Sequence, residues 1–299
     1  MSTKDQQTIV QAPGKGVHNG GRVLLGVMGD PIGHSKSPAM HQAALQKAGI
    51  TGAYVPLEVT DSSLEAALLA VKTLNFRGVN VTIPHKVAVM DYLDEIDEEA
   101  RRIGAVNTVV NDHGTLKGYN TDGRGYVRSL KDEAVPVLAG KTFMVLGAGG
   151  AARGIIYALA QEKPAKIIIV NRTRDKAEAL VQEWSDLALM TSCTYEDAVH
   201  WLPVVDVLIN TTSVGMHPHT DQMALQLEGL RSSAVVSDLI YNPLETKLLR
   251  EAARLGCTTH GGLGMFINQG AIAFEYWFGF APSVETMRAT VLSSLNKES

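Results

Sequence analysis

The chain has 299 residues, of which 45% are hydrophobic and 19% charged, with a formal net charge of −4. This length and composition predict a folded globular protein of two domains, and the dispersed lysines and arginines argue against a nucleic-acid-binding face. Two cysteines, Cys193 and Cys257, and the lack of a long apolar run predict a cytoplasmic protein with reduced thiols, no metal cluster and no membrane span.

The first half of the chain alternates short apolar runs with helical patterns. Strands are predicted over residues 22–29, 54–59 and 78–82, and helices over residues 38–48, 62–74 and near 87–92. Residues 1–21 are polar and dotted with glycine, which predicts a flexible tail. Because no tight hairpin signal separates the strands, the pattern indicates βαβ units and a mainly parallel sheet.

A second series of strands and helices begins near Lys141. Strands are predicted over residues 142–146, 166–170, 205–210 and 234–238, helices over 151–161 and 175–184, and a long apolar helix over 264–280 with a shorter one after it. The predicted fold class is therefore α/β, with two domains and a cleft between them. We assign residues 22–122, completed by 262–299, to the first domain and residues 123–261 to the second.

A glycine-rich turn joins the first strand and helix of the second series, with the sequence Gly147-Ala148-Gly149-Gly150-Ala151. Glycine permits a tight turn and lets backbone N–H groups approach a pyrophosphate at the helix N-terminus. Such a motif alone is weak evidence, because ordinary strand-to-helix turns have the same pattern. Here it opens a βαβ unit, which predicts a Rossmann-type dinucleotide-binding domain.

The end of the following strand indicates which dinucleotide binds. An NAD site needs Asp or Glu there for the ribose 2′-hydroxyl, whereas this chain has Asn171-Arg172-Thr173, with Lys176 one turn into the next helix. Arg172 can pair with a 2′-phosphate and stack on adenine, and Thr173 and Lys176 can add to the same site. We predict NADP(H); a solvated basic turn is the alternative interpretation.

Two polar segments of the first domain carry groups suited to moving a proton. One is Asn80-Val81-Thr82-Ile83-Pro84-His85-Lys86 and the other is Asn120-Thr121-Asp122. A lysine is an effective general acid or base when partial burial or a nearby cation lowers its pKa from about 10.4. A carboxylate instead favours the ammonium form. We therefore expect Lys86 to be the acid–base group, and Asp122 to hold the amine and bind substrate hydroxyls.

Eight segments in this order resemble the shikimate dehydrogenase family, over nearly the whole chain from Val23. They are Gly33-His34-Ser35-Lys36-Ser37-Pro38, residues 80–86, Gly104-Ala105-Val106-Asn107-Thr108, Gly118-Tyr119-Asn120-Thr121-Asp122, residues 147–151, Asn171-Arg172-Thr173, residues 210–215 and residues 261–269. The resemblance implies NADPH-dependent, reversible reduction of 3-dehydroshikimate to shikimate, in aromatic amino acid biosynthesis. It makes residues 22–122 the substrate-binding catalytic domain, whose partner is a polyhydroxylated cyclohexene carboxylate. The sequence does not determine the oligomeric state, and a homodimer is one assembly that it allows.

The resemblance also implies roles for individual side chains. Those implied to contact the substrate are Ser35, Ser37, Thr82, Asn107, Tyr241 and Gln269, together with the catalytic pair Lys86 and Asp122. Those implied to lie at the cofactor include Leu239, Gly262 and Met265 at the nicotinamide, with Thr212 and Ser213 in a turn suited to touch it. Lys176 lies where familiar members of the family have Arg. The positive charge is therefore kept, but a lysine cannot bind a phosphate through two parallel hydrogen bonds as a guanidinium does.

Without the resemblance, a purely structural role remains an alternative interpretation at several of these positions. Either serine could cap a helix, Asn107 could form a turn, Met265 could face the core and Tyr241 could anchor a loop. Met265 and Gln269 are four apart in a predicted helix, so they share a face and could meet nicotinamide and substrate respectively.

Three alternative functions are an NAD-preferring quinate/shikimate dehydrogenase, a related aminoshikimate enzyme and a non-catalytic module that senses NADP or a metabolite. Arg172 argues against NAD preference, and Ser35 with Ser37 is similar to shikimate-specific members of the family. A sensor would be expected to lose Lys86 or Asp122, and both are present.

Overall fold

Two six-stranded sheets organise the molecule, whose computed structural model describes residues 21–297. The predicted tail, residues 1–21, lies outside the described residues except for Gly21. No helix within the described range is both long and apolar enough to cross a bilayer.

The first sheet is built from the first half of the chain. Its elements are β1 (Val23–Gly29), α1 (Ser37–Lys47), β2 (Gly52–Glu58), α2 (Leu64–Thr73), β3 (Gly78–Val81), β4 (Glu95–Ile96), α3 (Glu98–Ile103), β5 (Thr108–Asp112) and β6 (Thr115–Tyr119), with 3-10 turns at Asp61–Ser63 and Ala88–Tyr92. The strand order is β2-β1-β3-β5-β6-β4. Strands β2 and β3 pair with β1 on opposite sides, so the strand order reverses at β1. In an open α/β sheet such a reversal leaves a crevice at the carboxyl end of the strand.

The second sheet is entirely parallel and follows after a connecting helix, α4 (Asp122–Glu133). Its elements are β7 (Thr142–Leu146), α5 (Gly150–Gln161), β8 (Lys166–Val170), α6 (Arg174–Glu183), β9 (Met190–Cys193), α7 (Tyr195–Ala198), a 3-10 turn at Leu202–Val204, β10 (Val207–Asn210), β11 (Val235–Asp238), α8 (Lys247–Arg254) and β12 (Thr258–His260). The order β12-β11-β10-β7-β8-β9 is that of a Rossmann sheet. Strands such as β8 are apolar on both faces because helices cover both.

Two final helices return to the first half of the molecule. These are α9 (Leu263–Phe278) and α10 (Val284–Leu295). Trp277 of α9 and Met287 of α10 are fully buried in one core with Leu25 of β1. Ser283 caps α10 by accepting the Thr286 N–H at 3.3 Å.

The structure corrects one expectation from sequence, the absence of a tight hairpin. Strands β5 and β6 pair antiparallel through a turn in which His113 (φ 50°) and Gly114 (φ 94°) are both left-handed, as a type I′ hairpin requires. Asn111 Oδ1 accepts the Gly114 N–H at 2.8 Å and fixes the turn. The first sheet is consequently mixed, with parallel pairs β1–β2, β1–β3 and β4–β6 and antiparallel pairs β3–β5 and β5–β6.

Other differences concern elements that the sequence patterns did not indicate. Helix α4 was not predicted, and it begins at Asp122, the last residue of the second polar segment. The edge strands β9 and β12 were also missed, because their largely polar sequences, MTSC and TTH, form no apolar run.

Helix α4 packs against α5 where two glycines let the backbones touch. A Cβ atom at Gly123 would lie 2.1 Å from the Gly154 carbonyl oxygen and 2.8 Å from the Ala158 Cβ. This close approach fixes α4, and with it Asp122, against the first helix of the Rossmann domain.

Substituting Gly123 should therefore force the two helices apart. We expect Gly123→Ala to lower the free energy of unfolding by about 1–3 kcal/mol, the usual cost of overpacking, measured by urea denaturation. Gly33→Ala is the matched control, because a Cβ there meets no atom within 4 Å. Equal stability of the two variants would contradict the packing argument.

Candidate active site

Lys86 and Asp122 form a buried ion pair. Lys86 follows β3 and Asp122 is the first residue of α4, and Lys86 Nζ lies 2.6 Å from Asp122 Oδ2. Their side chains are 15% and 5% exposed. The lysine is therefore partly accessible while the carboxylate is enclosed, as expected of an acid–base group with a supporting partner.

Asn107 holds the other oxygen of Asp122. Its Nδ2 donates to Asp122 Oδ1 at 2.8 Å and to Thr121 Oγ1 at 3.0 Å, while its Oδ1 accepts the Thr121 backbone N–H at 2.9 Å. Asn120 Oδ1 accepts the Asp122 N–H at 3.1 Å. A buried carboxylate is tolerated when paired and hydrogen-bonded. The amides thus fix Asp122 in one orientation and leave Lys86 as its cation.

A further layer of buried polar groups, which the sequence did not reveal, supports Asn107. Asn80 of β3 donates from Nδ2 to the Asn107 carbonyl at 3.2 Å and to Thr108 Oγ1 at 3.1 Å. Its Oδ1 accepts the Tyr54 hydroxyl at 2.7 Å. Burial raises the pKa of Tyr54 well above its usual range, and a hydrogen bond with Ser37 opposes this shift only in part. The signal in the sequence was an Asn inside an otherwise apolar strand, which must find partners when buried.

The predicted substrate serines lie in the loop after β1 and at the start of α1. Ser35 Oγ accepts the Ser37 N–H at 3.3 Å, and Ser37 is buried. Lys36, rather than a serine, occupies the cap position of α1, so neither serine is its N-cap. Thr82 follows β3, and its methyl group contacts the chain at Gly29, the last residue of β1. Thr82 therefore lies beside the carboxyl end of β1, while Ser35 and Ser37 lie in the loop after that strand and in the first turn of α1.

The remaining predicted substrate residues lie on or beside α9. Gln269 Nε2 donates to its own helix at the Phe266 carbonyl, 2.8 Å away, and its backbone packs against Gly125 of α4, one turn from Asp122. Tyr241 stacks on Phe266 with ring centroids 4.3 Å apart. Both residues are partly buried.

The glycine-rich turn connects β7 to α5. Gly147 has φ +113°, and a Cβ there would lie 2.6 Å from Thr211 Oγ1, so only glycine fits. Gly149 precedes the helix, and a Cβ on it would meet nothing within 4 Å. The turn therefore presents the N-terminus of α5, with its unpaired N–H groups, to open space, which fits a pyrophosphate.

The same turn lies directly beside the ion pair. A Cβ at Gly150 would be 3.8 Å from Lys86 Cβ and 3.9 Å from Lys86 Cδ. Gly154, one turn further along α5, approaches Asp122 Cβ and Asn120 Oδ1. The two sheets thus bring a dinucleotide-binding turn and a candidate proton donor together.

The predicted 2′-phosphate residues lie at the carboxyl end of β8. Arg172, Thr173 and Lys176 are exposed, while Asn171 is partly buried and donates from Nδ2 to the Thr173 carbonyl at 2.8 Å. Arg174 is held by Glu178 at 2.6 Å, whereas Arg172 has no salt bridge with a carboxylate among residues 21–297. Arg172 is therefore available to an anion.

The predicted nicotinamide residues follow β11 and β12. Gly262 precedes α9 and packs directly on the Leu239 carbonyl. Met265 is buried in the core of the second sheet with Leu239 at its edge. Thr212 donates to Asn210 Oδ1 at 2.7 Å, and Ser213 is exposed.

A second buried carboxylate, also missed from sequence, anchors these loops. Asp238, the last residue of β11, accepts from Thr246 Oγ1 at 2.7 Å, Asn210 Nδ2 at 3.0 Å and the Ile240 N–H at 3.1 Å. Burial raises the pKa of Asp238 to about 6, although the three donors oppose the shift. Within the described residues no group of three or more His, Cys, Asp or Glu side chains is arranged to hold a metal.

Three family models match the chain. The shikimate dehydrogenase substrate-binding domain matches residues 27–109, the shikimate/quinate 5-dehydrogenase model matches residues 129–239, and the shikimate 5′-dehydrogenase C-terminal domain matches residues 262–292. Together these models match parts of both sheets and the whole of α9.

Relatives and solved structures agree with the models over almost the full length. The shikimate dehydrogenase (NADP⁺) of Geobacillus kaustophilus (strain HTA426) is 48% identical over 92% of this chain and 99% of its own. The Thermus thermophilus shikimate 5-dehydrogenase, in complex with NADP(H) and shikimate, superposes with TM-score 0.83 at 37% identity, covering 91% and 100%. The Corynebacterium glutamicum quinate dehydrogenase, in complex with NAD, gives TM-score 0.85 at 33% identity, covering 91% and 99%.

The pKa of Asp238 predicts how stability depends on pH. Because its pKa is raised from 3.8 to about 6 in the folded protein, its stabilising contribution is complete below pH 3.8 and is lost as pH rises through about 6. Relative to Asp238→Asn, the wild type should lose on the order of 1–3 kcal/mol of unfolding free energy between about pH 4 and pH 7.

Urea denaturation across this range measures the difference. Asp132→Asn, which changes an exposed aspartate of α4, should leave the pH profile of the wild type unchanged. Parallel profiles for wild type and Asp238→Asn would contradict the predicted shift.

Proposed function

The chain belongs to the shikimate dehydrogenase family, and we propose that it is an NADP-dependent oxidoreductase that interconverts 3-dehydroshikimate and shikimate. One observation carries the proposal: Lys86, paired with Asp122 at 2.6 Å, lies so close to Gly150 of the dinucleotide-binding turn that a Cβ atom there would be in van der Waals contact with it. A proton donor and a hydride donor must meet at one carbon–oxygen bond in such a reaction, and this contact supports their meeting here.

The two domains, each built on one sheet, would bind different molecules. Residues 22–122 with 262–299 hold the substrate, and residues 123–261 hold NADP(H). NADPH, when bound, supplies the hydride that the ring ketone accepts. The open N-terminus of α5 would hold its pyrophosphate, and Arg172 would hold its 2′-phosphate with help from Asn171, Thr173 and Lys176.

Substrate recognition is by hydrogen bonds to hydroxyl and carboxylate groups. Ser35 and Ser37, which follow β1 and are joined by a hydrogen bond, would bind the substrate together with Thr82, Asn107, Asp122, Tyr241 and Gln269. A site lined by such groups rejects analogues without the matching hydroxyls, because its buried polar atoms would be left unpaired. This supports a polyhydroxylated ring acid as the substrate.

Proton transfer is the work of Lys86. As the ketone carbon accepts hydride, negative charge develops on its oxygen, and the Lys86 ammonium stabilises that charge and donates the proton. In the reverse direction the neutral amine accepts the proton from the hydroxyl. Asp122, held by Asn107 at 2.8 Å, orients the amine and accepts a hydrogen bond from the substrate. A carboxylate without this support would be free to rotate away.

We also propose a cytoplasmic location and a homodimeric assembly. Free, buried thiols at Cys193 and Cys257 support a reducing compartment. Exposed Leu69 and Leu74 at α2 supply apolar surface for a second copy. Light scattering on the purified protein tests the assembly, and a monomeric mass would contradict it.

The function is tested by following NADPH absorbance with 3-dehydroshikimate as substrate. Turnover is expected, and replacing NADPH with NADH should reduce it strongly. Preferential oxidation of quinate with NAD would instead favour the quinate/shikimate alternative, and NADPH binding without turnover would favour a sensing role.

Removing the Lys86 amine should abolish acid–base catalysis while leaving substrate binding largely intact. We expect Lys86→Ala to lower kcat by about 10²–10⁴-fold with KM nearly unchanged. Steady-state kinetics measure both. Lys72→Ala removes a surface lysine paired with Asp94 and should have no effect. A raised KM with normal kcat would show that Lys86 only binds substrate.

Reversing the charge of Arg172 should discriminate between the two cofactors. We expect Arg172→Asp to weaken NADPH binding by about 10- to 100-fold, the value of a charge-assisted hydrogen bond, and NADH binding far less. Fluorescence titration measures both dissociation constants. Arg174→Asp is the matched control, since Glu178 already neutralises Arg174. Equal losses for NADPH and NADH in Arg172→Asp would overturn the assignment.

A further inference from the structure

A buried chain of polar side chains links α4 to the last two strands of the second sheet. The Tyr126 hydroxyl donates to Ser237 Oγ at 3.0 Å, and Ser237 Oγ lies 2.9 Å from His260 Nδ1. His260 Nε2 lies 2.8 Å from Ser129 Oγ. All four side chains are 3% exposed or less. The chain therefore starts on α4, crosses β11 and β12, and returns to α4 within the protein interior.

The direction of each hydrogen bond follows from the first. Because Ser237 Oγ accepts from Tyr126, its own proton is available to His260 Nδ1, which then acts as the acceptor. Nε2 consequently carries the imidazole proton and donates to Ser129 Oγ. The same nitrogen faces the Glu133 carboxylate at 3.7 Å. The arrangement requires one neutral tautomer of His260, with the proton on Nε2.

The charged and titratable groups around this imidazole are consistent with a neutral ring. Burial lowers the pKa of His260, Glu133 opposes that shift, and Arg288 adds to it. Arg288 of α10 binds Glu133 at 2.5 Å, so the carboxylate is already paired. Burial raises the pKa of Tyr126, which keeps the phenol protonated as a donor.

This series of buried hydrogen bonds joins three parts of the site that must be aligned. Ser237 immediately precedes Asp238 and Leu239, and His260 immediately precedes the segment 261–265 that includes Gly262 and Met265. Tyr126 and Ser129 lie on the helix that begins with Asp122. Through Glu133 and Arg288 the contacts reach α10, in the core of the first sheet.

We propose that His260 is a positioning residue that sets the nicotinamide-side segments, 239–241 and 262–265, relative to Asp122 and Lys86. The proposal rests on the proposed function, because it concerns alignment of hydride and proton donors. It assigns His260 no contact with substrate or cofactor. Its effect is exerted through the Ser237 and Ser129 hydrogen bonds.

Replacing the imidazole with an apolar ring tests this role. We expect His260→Phe to slow the single-turnover rate of NADPH oxidation by about 10-fold, as small misplacements of reacting groups do, with the NADPH dissociation constant and the KM for 3-dehydroshikimate changed by less than about 3-fold. Stopped-flow absorbance at saturating concentrations, normalised to titrated NADPH sites, measures the rate. Ser237→Ala, a smaller change, should show the same pattern more weakly if His260→Phe fails to fold.

Two further variants separate positioning from stability. His260→Gln keeps one acceptor and one donor, and should recover most of the rate. Cys257→Ala removes a buried side chain three residues earlier, and should lower the melting temperature without changing the rate per active site.

Several outcomes would overturn the proposal. An unchanged single-turnover rate in His260→Phe, with only its melting temperature lowered, would make His260 purely structural. A slow His260→Gln beside a normal Ser237→Ala would show that ring shape matters and the hydrogen bonds do not. Absence of turnover in the wild type would overturn the proposed function as well, whereas an active wild type with indifferent variants would overturn only the positioning role.

Discussion

The carboxylate of Asp122 is the group on which the rest of the site depends. It is buried, and a buried carboxylate must be paired and hydrogen-bonded to remain charged. Lys86 Nζ meets this requirement at one carboxylate oxygen, and Asn107 Nδ2 meets it at the other. The backbone N–H of Asp122 donates to Asn120 Oδ1. Lys86 lies in the turn after β3, Asn107 immediately precedes β5 and Asn120 immediately follows β6, so three separate segments of the first domain converge on this carboxylate.

Helix α4 links this local requirement to the whole molecule. Its first residue is the carboxylate, its glycine at 123 touches α5, and its residues 126 and 129 reach β11 and β12 through hydrogen bonds. One rigid helix thus contacts the dinucleotide-binding helix and the strands that lead to the nicotinamide-side loops. A shift of α4 would therefore move Asp122 relative to all of these elements together.

Much of this arrangement could be predicted from the sequence. What was predicted shows in local sequence patterns, and what was missed depends on contacts between residues far apart in the chain. Strands 142–146 and 166–170 were placed to the residue, because continuous apolar runs between turn signals leave few alternatives. Lys86, Asp122 and Asn107 were selected as site residues, and the structure brings them into direct contact. The supporting groups Asn80, Tyr54, Asp238 and His260 were not, because their significance comes from neighbours 8 to 131 residues away along the chain. The hairpin after β5 was missed because His113, rather than the usual Asn or Asp, precedes its glycine.

Two buried carboxylates in the same molecule show how environment divides their roles. Asp238 is surrounded by a hydroxyl, an amide and a backbone N–H, all neutral donors, and burial raises its pKa to about 6. Asp122 has similar amide donors but adds the Lys86 ammonium at 2.6 Å. A neutral set of donors can hold a loop in place, which is what Asp238 does for Ile240 and Asn210. In the proposed reaction the set at Asp122 takes part in moving a proton, because there a second titratable group, Lys86, shares the hydrogen bond. The presence of one lysine beside the carboxylate therefore distinguishes the aspartate proposed to support catalysis from the aspartate that holds a loop.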